Sequence, residues 1–259
     1  MKIKFQKYQG TGNDFIIINN NSLYFPQKNQ ALIKRLCDRK YGIGSDGLIL
    51  INPCDKTDFE MLYFNSDGFL GSLCGNGARC CVKFANSQNI INDNTFFNAY
   101  DGKHSGSINK DIITLSMNSV NIIKKFNDDL FLDTGSPHYV KIVENLANFD
   151  VFNQGKLIRN SSDFKKNGVN VNFVQIISKN KFSVRTFERG VEDETLSCGT
   201  GVTAVALAMF HLKKTNSKKI KINTRGGELS VNFNVTKNSY TDIYLTGHVE
   251  MIYSGEIEI

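Results

Sequence analysis

Two tetrads carry the chain's most suggestive chemistry: Cys74-Gly75-Asn76-Gly77 and Cys198-Gly199-Thr200-Gly201, each running into an Ala-rich stretch. A cysteine followed at once by Gly-x-Gly and a helix lies at or just before the helix N-terminus, where unpaired N–H groups and the dipole favour negative charge. That placement lowers a thiol pKa from its free value near ~8.5 and makes the sulfur reactive. The glycines allow close backbone approach, so the same turn can hold a carboxylate on its N–H groups. One such tetrad is weak evidence. Two of them suggest thiols facing each other across a domain interface, with an anion held between two helix ends. One thiolate then removes a proton from one face of an α-carbon, and the opposite thiol delivers a proton to the other face, which inverts the stereocentre.

The tetrads belong to a longer repeat. Thr11-Gly12-Asn13-Asp14-Phe15-Ile16-Ile17-Ile18 and Thr134-Gly135-Ser136-Pro137-His138-Tyr139-Val140-Lys141 are each a TG turn entering a β-rich segment, 123 residues apart, and the two tetrads are 124 apart. Two independent resemblances keeping one displacement indicate a duplicated unit. Each half reads as short strands with one or two helices. In the first, 15–19, 48–52 and 60–64 are strand-like and 30–38 is helical in pattern; in the second, 139–143, 173–177 and 182–187 are strand-like. The segments 78–87 and 202–213, rich in Ala, Val, Leu and Phe, suit buried helices. Late strands are expected at 220–223, 229–233 and 243–246. The boundary falls near 117–124, giving domains of 1–118 and 119–254, with a last strand at 255–259 returning to the first.

The composition excludes several classes. With 259 residues, 41% hydrophobic and 22% charged, Gly 21 and Pro 3, the chain is globular and neither disordered nor collagen-like. A net charge of +6, spread along the chain, gives no indication of nucleic-acid binding. Six cysteines are too few for a disulfide scaffold at this length. The start MKIKFQKYQGTG lacks the apolar core of a signal peptide, and no run of 18 apolar residues occurs, so a soluble protein of a reducing compartment is expected. Cys37, Cys54, Cys80 and Cys81 read as packing residues. Neither CxxC nor close His ligands occur, so no metal site is expected. Gly42-Ile43-Gly44-Ser45-Asp46-Gly47 matches GxGxxG, but it follows a helix and precedes a strand, the reverse of the order a dinucleotide site requires.

Read in order, KYQGTGNDFIIIN, CDRKYGIGSDGLILI, FNSDG followed by CGNGARC, DTGSPH, NVNFVQ and TFERGVEDETLSCGTG resemble the diaminopimelate epimerase family block by block, from Lys7 to about Gly201. The resemblance implies an α/β (α+β) fold of two duplicated domains related by a pseudo-two-fold. Each would wrap its strands around a central helix, with the active site in the cleft between them. It implies a cytoplasmic homodimer that interconverts LL- and meso-diaminopimelate without cofactor, in lysine and peptidoglycan precursor biosynthesis. By the same resemblance Cys74 and Cys198 are the acid/base pair, and His138 and Glu188 tune them. Asn13, Asn65, Gly75, Asn76, Asn170, Glu188, Arg189, Gly199 and Thr200 fall on substrate-binding positions. The residues suit such tasks: Arg189 can grip a distal carboxylate bidentately, Glu188 can pair with an ammonium, and Asn side chains both donate and accept.

Two positions depart from the family pattern. Ser136 stands where many members have Asn before Pro-His, so a distal-end substrate contact there is expected to be shorter, indirect or lost. Gly47 stands where some members carry Gln, and no side-chain role passes to it. The rival readings are a proline or hydroxyproline racemase, which typically has His where this chain has Asn76, and an isomerase of the same architecture using a carboxylate in place of the thiols. Two more come from other classes: a thiol redox protein with a regulatory Cys74/Cys198 disulfide, and a binding module that has lost activity.

Overall fold

A computed structural model describes residues 1–71, 73–237 and 239–259. The chain divides into two compact units, Met1–Leu115 with Gly247–Ile259, and Ser116–Thr246. The change of unit thus comes at 115/116, where the sequence placed it at 118/119. The return comes at 247 and not at 255, because the last strand is a single nine-residue element that pairs along the whole of the first.

The first unit holds β1 (Lys2–Gly10), β2 (Asn13–Asn19), α1 (Gln30–Cys37), β3 (Gly47–Asn52), β4 (Phe59–Asn65), α2 (Gly75–Ser87), β5 (Asn94–Ala99), β6 (Gly102–Asn109) and β7 (Ile112–Met117), the last running into the boundary. The second holds β8 (Ile123–Phe126), β9 (Asp129–Asp133), β10 (Pro137–Ile142), α3 (Val151–Arg159), β11 (Asn170–Ser178), β12 (Lys181–Glu188), β13 (Asp193–Thr195), α4 (Gly199–His211), β14 (Lys219–Thr224) and β15 (Gly227–Val235). The strand β16 (Tyr240–His248) leads back to the first unit, which β17 (Glu250–Glu258) completes.

The pairing order repeats. In the first unit β1–β2 is antiparallel, β2–β3 parallel, β3–β4 antiparallel, β4–β5 parallel and β5–β6 antiparallel. In the second, β9–β10, β10–β11, β11–β12, β12–β14 and β14–β15 follow the same alternation. The runs FIII and LILI are apolar without alternation because both faces of their strands are covered. Phe15, Ile17, Ile49 and Ile51 pack toward α2, while Ile16, Ile18, Leu48 and Leu50 pack toward α1. The second unit does the same with α4 on one face of β10 and β11 and the α3 layer on the other.

Both central helices begin earlier than the sequence suggested, at Gly75 and Gly199 and not at 78 and 202. Cys74 and Cys198 are their N-cap residues, and Ala78 N–H and Val202 N–H each close the first turn on a cysteine carbonyl at 2.8 Å. Gly-x-Gly is poor helix sequence on propensity, so the tetrads hide a first turn that in both helices closes on the cysteine carbonyl. The Gly42–Gly47 segment serves the end of α1: the N–H groups of Ile43 and Gly44 donate to Leu36 O, and that of Ser45 to Cys37 O. Those donors are spent on helix carbonyls and not presented to a phosphate. No helix among the described residues is long and apolar enough to cross a membrane.

Candidate active site

In the first unit the site grows from the head of α2. Cys74, half-buried, accepts the Gly77 N–H on its own Sγ at 3.4 Å, so the sulfur occupies the place of an N-cap oxygen. Asn76 is buried one residue into the helix, and its Nδ2 donates to Asn13 Oδ1 at 2.5 Å. Asn13 Nδ2 in turn donates to Asp46 Oδ2 at 3.0 Å. Behind Asn13 lies an ion cluster: Arg39 bridges Asp14 and Asp46 at 2.7 and 2.8 Å, and the buried Lys7 reaches Asp14 at 2.8 Å. Burial opposes ionisation of Asp14, but Arg39 and Lys7 outweigh it and hold the carboxyl down to about 2. The TG turn and the tetrad, far apart in sequence, therefore meet through Asn13 and Asn76.

Arg79, four residues beyond Gly75, has no solvent exposure. It donates to Gly75 O at 3.2 Å and to Thr11 Oγ1 and Asn76 Oδ1 at 2.8 Å each. Asn65 stands apart from this group, exposed at the end of β4. At Gly47, Tyr63 fills the space a side chain would need, with its Cε2 2.5 Å from where a Cβ would be.

The second unit builds the matching turn differently. Cys198 is 8% exposed, makes no side-chain cap bond to its helix, and has its Sγ 3.4 Å from Thr200 Oγ1. Thr134 of the second TG turn donates to Thr200 O at 2.9 Å. Beneath lies His138, fully buried. Asn172 Nδ2 donates to His138 Nδ1 at 3.1 Å and to Tyr139 O at 3.0 Å, while Thr186 Oγ1 donates to Asn172 Oδ1 at 3.0 Å. With Nδ1 accepting, the ring proton belongs on Nε2, which has no partner among the described residues. Burial, aided by Arg189, pushes His138 down to about 3, so the imidazole is neutral. Gly201 is required by contact: a Cβ there would lie 2.5 Å from Asn172 Oδ1 and 3.3 Å from Cys198 Sγ.

The remaining second-unit candidates form a connected group. Asn170 Nδ2 donates to Ser136 Oγ at 2.8 Å, and Asn170 Oδ1 accepts the Arg189 N–H at 2.9 Å. Arg189 Nη1 donates to Asn167 O at 2.8 Å, and Thr195 Oγ1 donates to Glu188 Oε1 at 2.6 Å. Ser136 is thus tied to Asn170. Sequence reasoning passed over Arg79 and Asn172. Both lie inside blocks it singled out, and Asn172 is two residues from Asn170 on one strand. Among the described residues no cluster of three His, Cys, Asp or Glu side chains is placed to hold a metal ion.

Comparison with known proteins bears on the family and the fold. The family model described as diaminopimelate epimerase matches residues 5–111 and 130–252. A diaminopimelate epimerase from Flavobacterium psychrophilum is 52% identical over 256 residues, covering 98% of this chain and 100% of that one. One from Chlorobaculum tepidum is 38% identical over 265 residues, covering 96% and 99%. Among solved structures, a phenazine biosynthesis protein of the PhzF family from Bacillus anthracis superposes with a TM-score of 0.80 at 12% identity, covering 100% of both chains. A hydroxyproline epimerase from Agrobacterium vitis gives 0.72 at 13% identity, covering 99% of this chain and 92% of that one. At such identities the structural likeness shows the fold alone. Matched by the family model over both repeats and by close relatives over nearly its whole length, the chain belongs to the diaminopimelate epimerase family, whose members are isomerases.

Proposed function

We propose that the protein interconverts LL- and meso-diaminopimelate by a cofactor-independent two-base mechanism, with Cys74 and Cys198 serving opposite faces of one α-carbon. The observation that carries this reading is that both cysteines are N-caps of the central helices of two repeated units. The first-turn N–H groups at Gly75-Asn76 and Gly199-Thr200 receive the carboxylate of the reacting centre and stabilise the charge that develops as the α-proton leaves. Whichever sulfur is thiolate takes that proton, and the other thiol returns one to the opposite face. The net result is inversion, with the charge exchanged between the sulfurs. Asn13, Asn76 and Asn170 orient the zwitterionic substrate, Arg189 meets the distal carboxylate, and Glu188 pairs with an ammonium. Ser136 acts through Asn170. His138 and Glu188 bias the thiol chemistry.

The proline racemase reading shares only a fold-level likeness, whereas the sequence relatives at 38–52% identity carry the diaminopimelate name. The lysine and peptidoglycan precursor setting follows from that activity. The need to keep both thiols reduced supports a cytoplasmic location, and the family resemblance supports a homodimer. The test is incubation with LL-diaminopimelate and, separately, L-proline in deuterated water under reducing conditions, following stereoisomer ratio and α-deuteration. Both should change with diaminopimelate. An absence of exchange with diaminopimelate would overturn the reading.

A further inference from the structure

The repeat makes every residue of one helix head comparable with its counterpart in the other, and one pair differs in charge. Arg79 and Thr203 each lie four residues after the first glycine of their helix. Each donates to that glycine's carbonyl, Arg79 Nη1 to Gly75 O at 3.2 Å and Thr203 Oγ1 to Gly199 O at 3.0 Å. Both are fully buried. The same place in the fold therefore holds a cation in the first unit and a neutral hydroxyl in the second.

A buried guanidinium is costly unless an anion answers it. The partners of Arg79 are the Gly75 carbonyl, the Thr11 hydroxyl and the Asn76 amide oxygen, all neutral, and its Nε has none among the described residues. No carboxylate pairs with it among the described residues. Gly10 on β1 passes close to the helix head: a Cβ there would lie 3.1 Å from Asn76 O and 3.2 Å from Cys80 Sγ, with Arg79 Nη2 in ordinary contact at 3.6 Å. Burial pushes Arg79 down to about 10, with Cys80 and Cys74 pulling the other way, so it stays charged at neutral pH.

The strands packed against α2 carry Lys2, Lys4, Lys7 and Tyr8 on β1, Asp14 on β2, Glu60 and Tyr63 on β4, and Lys103 and His104 on β6; β3 carries no titratable group. Lys7 and Asp14 pair with each other, and Asp14 with Arg39 as well, while His104 pairs with Asp101. Glu60 accepts from Asn52, and burial holds Tyr8 protonated. On the helix itself Lys83 pairs with Asp111, and Cys80 and Cys81 are fully buried and pushed up by desolvation, so both remain thiols. That leaves Cys74, half-buried and already accepting an N–H from its helix, as the group able to supply the answering negative charge.

We propose that Arg79 is a positioning residue that sets the resting charge of the pair: it holds Cys74 as the thiolate, while Cys198, opposite neutral Thr203, rests as the thiol. The assignment rests on reading the two cysteines as an acid/base pair. It makes Cys74 the first base in the free protein and Cys198 the first acid.

The test is the pH dependence of alkylation by iodoacetamide on the full chain without substrate, read separately at Cys74 and Cys198 by peptide mass spectrometry. The midpoint of each rate profile reports the thiol's ionisation independently of how accessible the sulfur is. Cys74 should have its midpoint at least about one pH unit below that of Cys198, as an adjacent opposite charge produces. Arg79→Gln should raise the Cys74 midpoint toward that of Cys198 and slow alkylation at neutral pH about tenfold. Arg79→Lys should keep most of the gap, and Thr203→Val should leave the Cys198 midpoint in place. Coincident midpoints in the unaltered protein overturn the proposal without any variant, and so does an Arg79→Gln protein, folded by circular dichroism, whose Cys74 midpoint has not moved. The midpoints need no turnover, so the two ideas fail separately: a retained gap without diaminopimelate exchange sinks the enzymatic reading, and exchange with coincident midpoints sinks the charge assignment alone.

Discussion

Beneath Gly77 in the first unit lies an apolar floor, and beneath Gly201 in the second a polar one. The equivalent strand positions are Phe15, Ile49 and Tyr63 in the first and His138, Asn172 and Thr186 in the second; Ile49 faces Tyr63 across its ladder just as Asn172 faces Thr186. In the first unit Ile49 and Phe15 close against Gly77, and Phe15 packs edge-on to Tyr63 with centroids 6.1 Å apart. In the second, hydrogen bonds join Thr186, Asn172 and His138. The charge runs the other way: the apolar floor adjoins the buried cation Arg79, and the polar floor has Thr203 in its place. One backbone plan thus presents two cysteines at the same N-cap position in unequal surroundings. Two thiols in identical surroundings would share their protonation states, whereas an acid and a base need environments that push them apart.

The largest effect expected is from the thiols themselves. If the two units contribute one acid and one base, Cys74→Ser and Cys198→Ser should each lose about 10²–10⁴-fold in epimerisation, measured in both directions by stereoisomer ratio. A variant keeping full turnover both ways would make its unit a bystander. Next is the polar floor. Asn172→Leu would leave His138 Nδ1 and Tyr139 O without their donor and should cost about 1–3 kcal/mol. Ile49→Val at the equivalent apolar position should cost only about 0.5–1.5 kcal/mol. With no Trp in the chain, urea unfolding followed by circular dichroism measures both. Equal losses would mean that the two floors differ in composition but not in what they demand.

How much of this contrast could be read beforehand depends on which physical signal each residue carries. The doubled tetrads and TG turns were legible because glycine and cysteine at fixed spacing do not arise from core packing, and the FIII and LILI strands because β-branched runs fit a sheet covered on both faces. The helix α3 was not: Gly155 interrupts its interior, and with Phe152 and Leu157 exposed its apolar residues are not confined to the face that Val151 and Ile158 bury, which blurs the helical period. The strands β5 to β9 are half-exposed, with Lys, Ser, Asn and Asp among their residues. Arg79 and Asn172 look like ordinary polar residues in a string. Their importance follows from burial and ladder register, which exist only once distant strands have paired. The proximity of Asn13 to Asn76 is of the same kind.

The smallest effect near neutral pH is also the one that best separates the units. Each has a group held well below its ordinary pKa, His138 at about 3 in place of 6.5 and Asp14 at about 2 in place of 3.8. Both shifts are downward, so in both cases the unfolded chain binds the proton first and stability falls as pH falls. The windows differ. The His138 contribution is complete above 6.5 and drains as pH drops toward 3; that of Asp14 is complete above 3.8 and is lost only as pH falls through about 2. A single proton gives at most about 1.4 kcal/mol per pH unit, so at pH 6 the loss is below about 1 kcal/mol. Between pH 6.5 and 4 the second unit should therefore loosen while the first holds. Hydrogen exchange followed by mass spectrometry, corrected for intrinsic rates, should show β10 and β11 losing protection across that range while β2 and β3 keep theirs. His138→Gln should flatten the decline in the second unit. Parallel loss in both units over the same range would show that the two floors are coupled in acid and that the buried imidazole does not set the order.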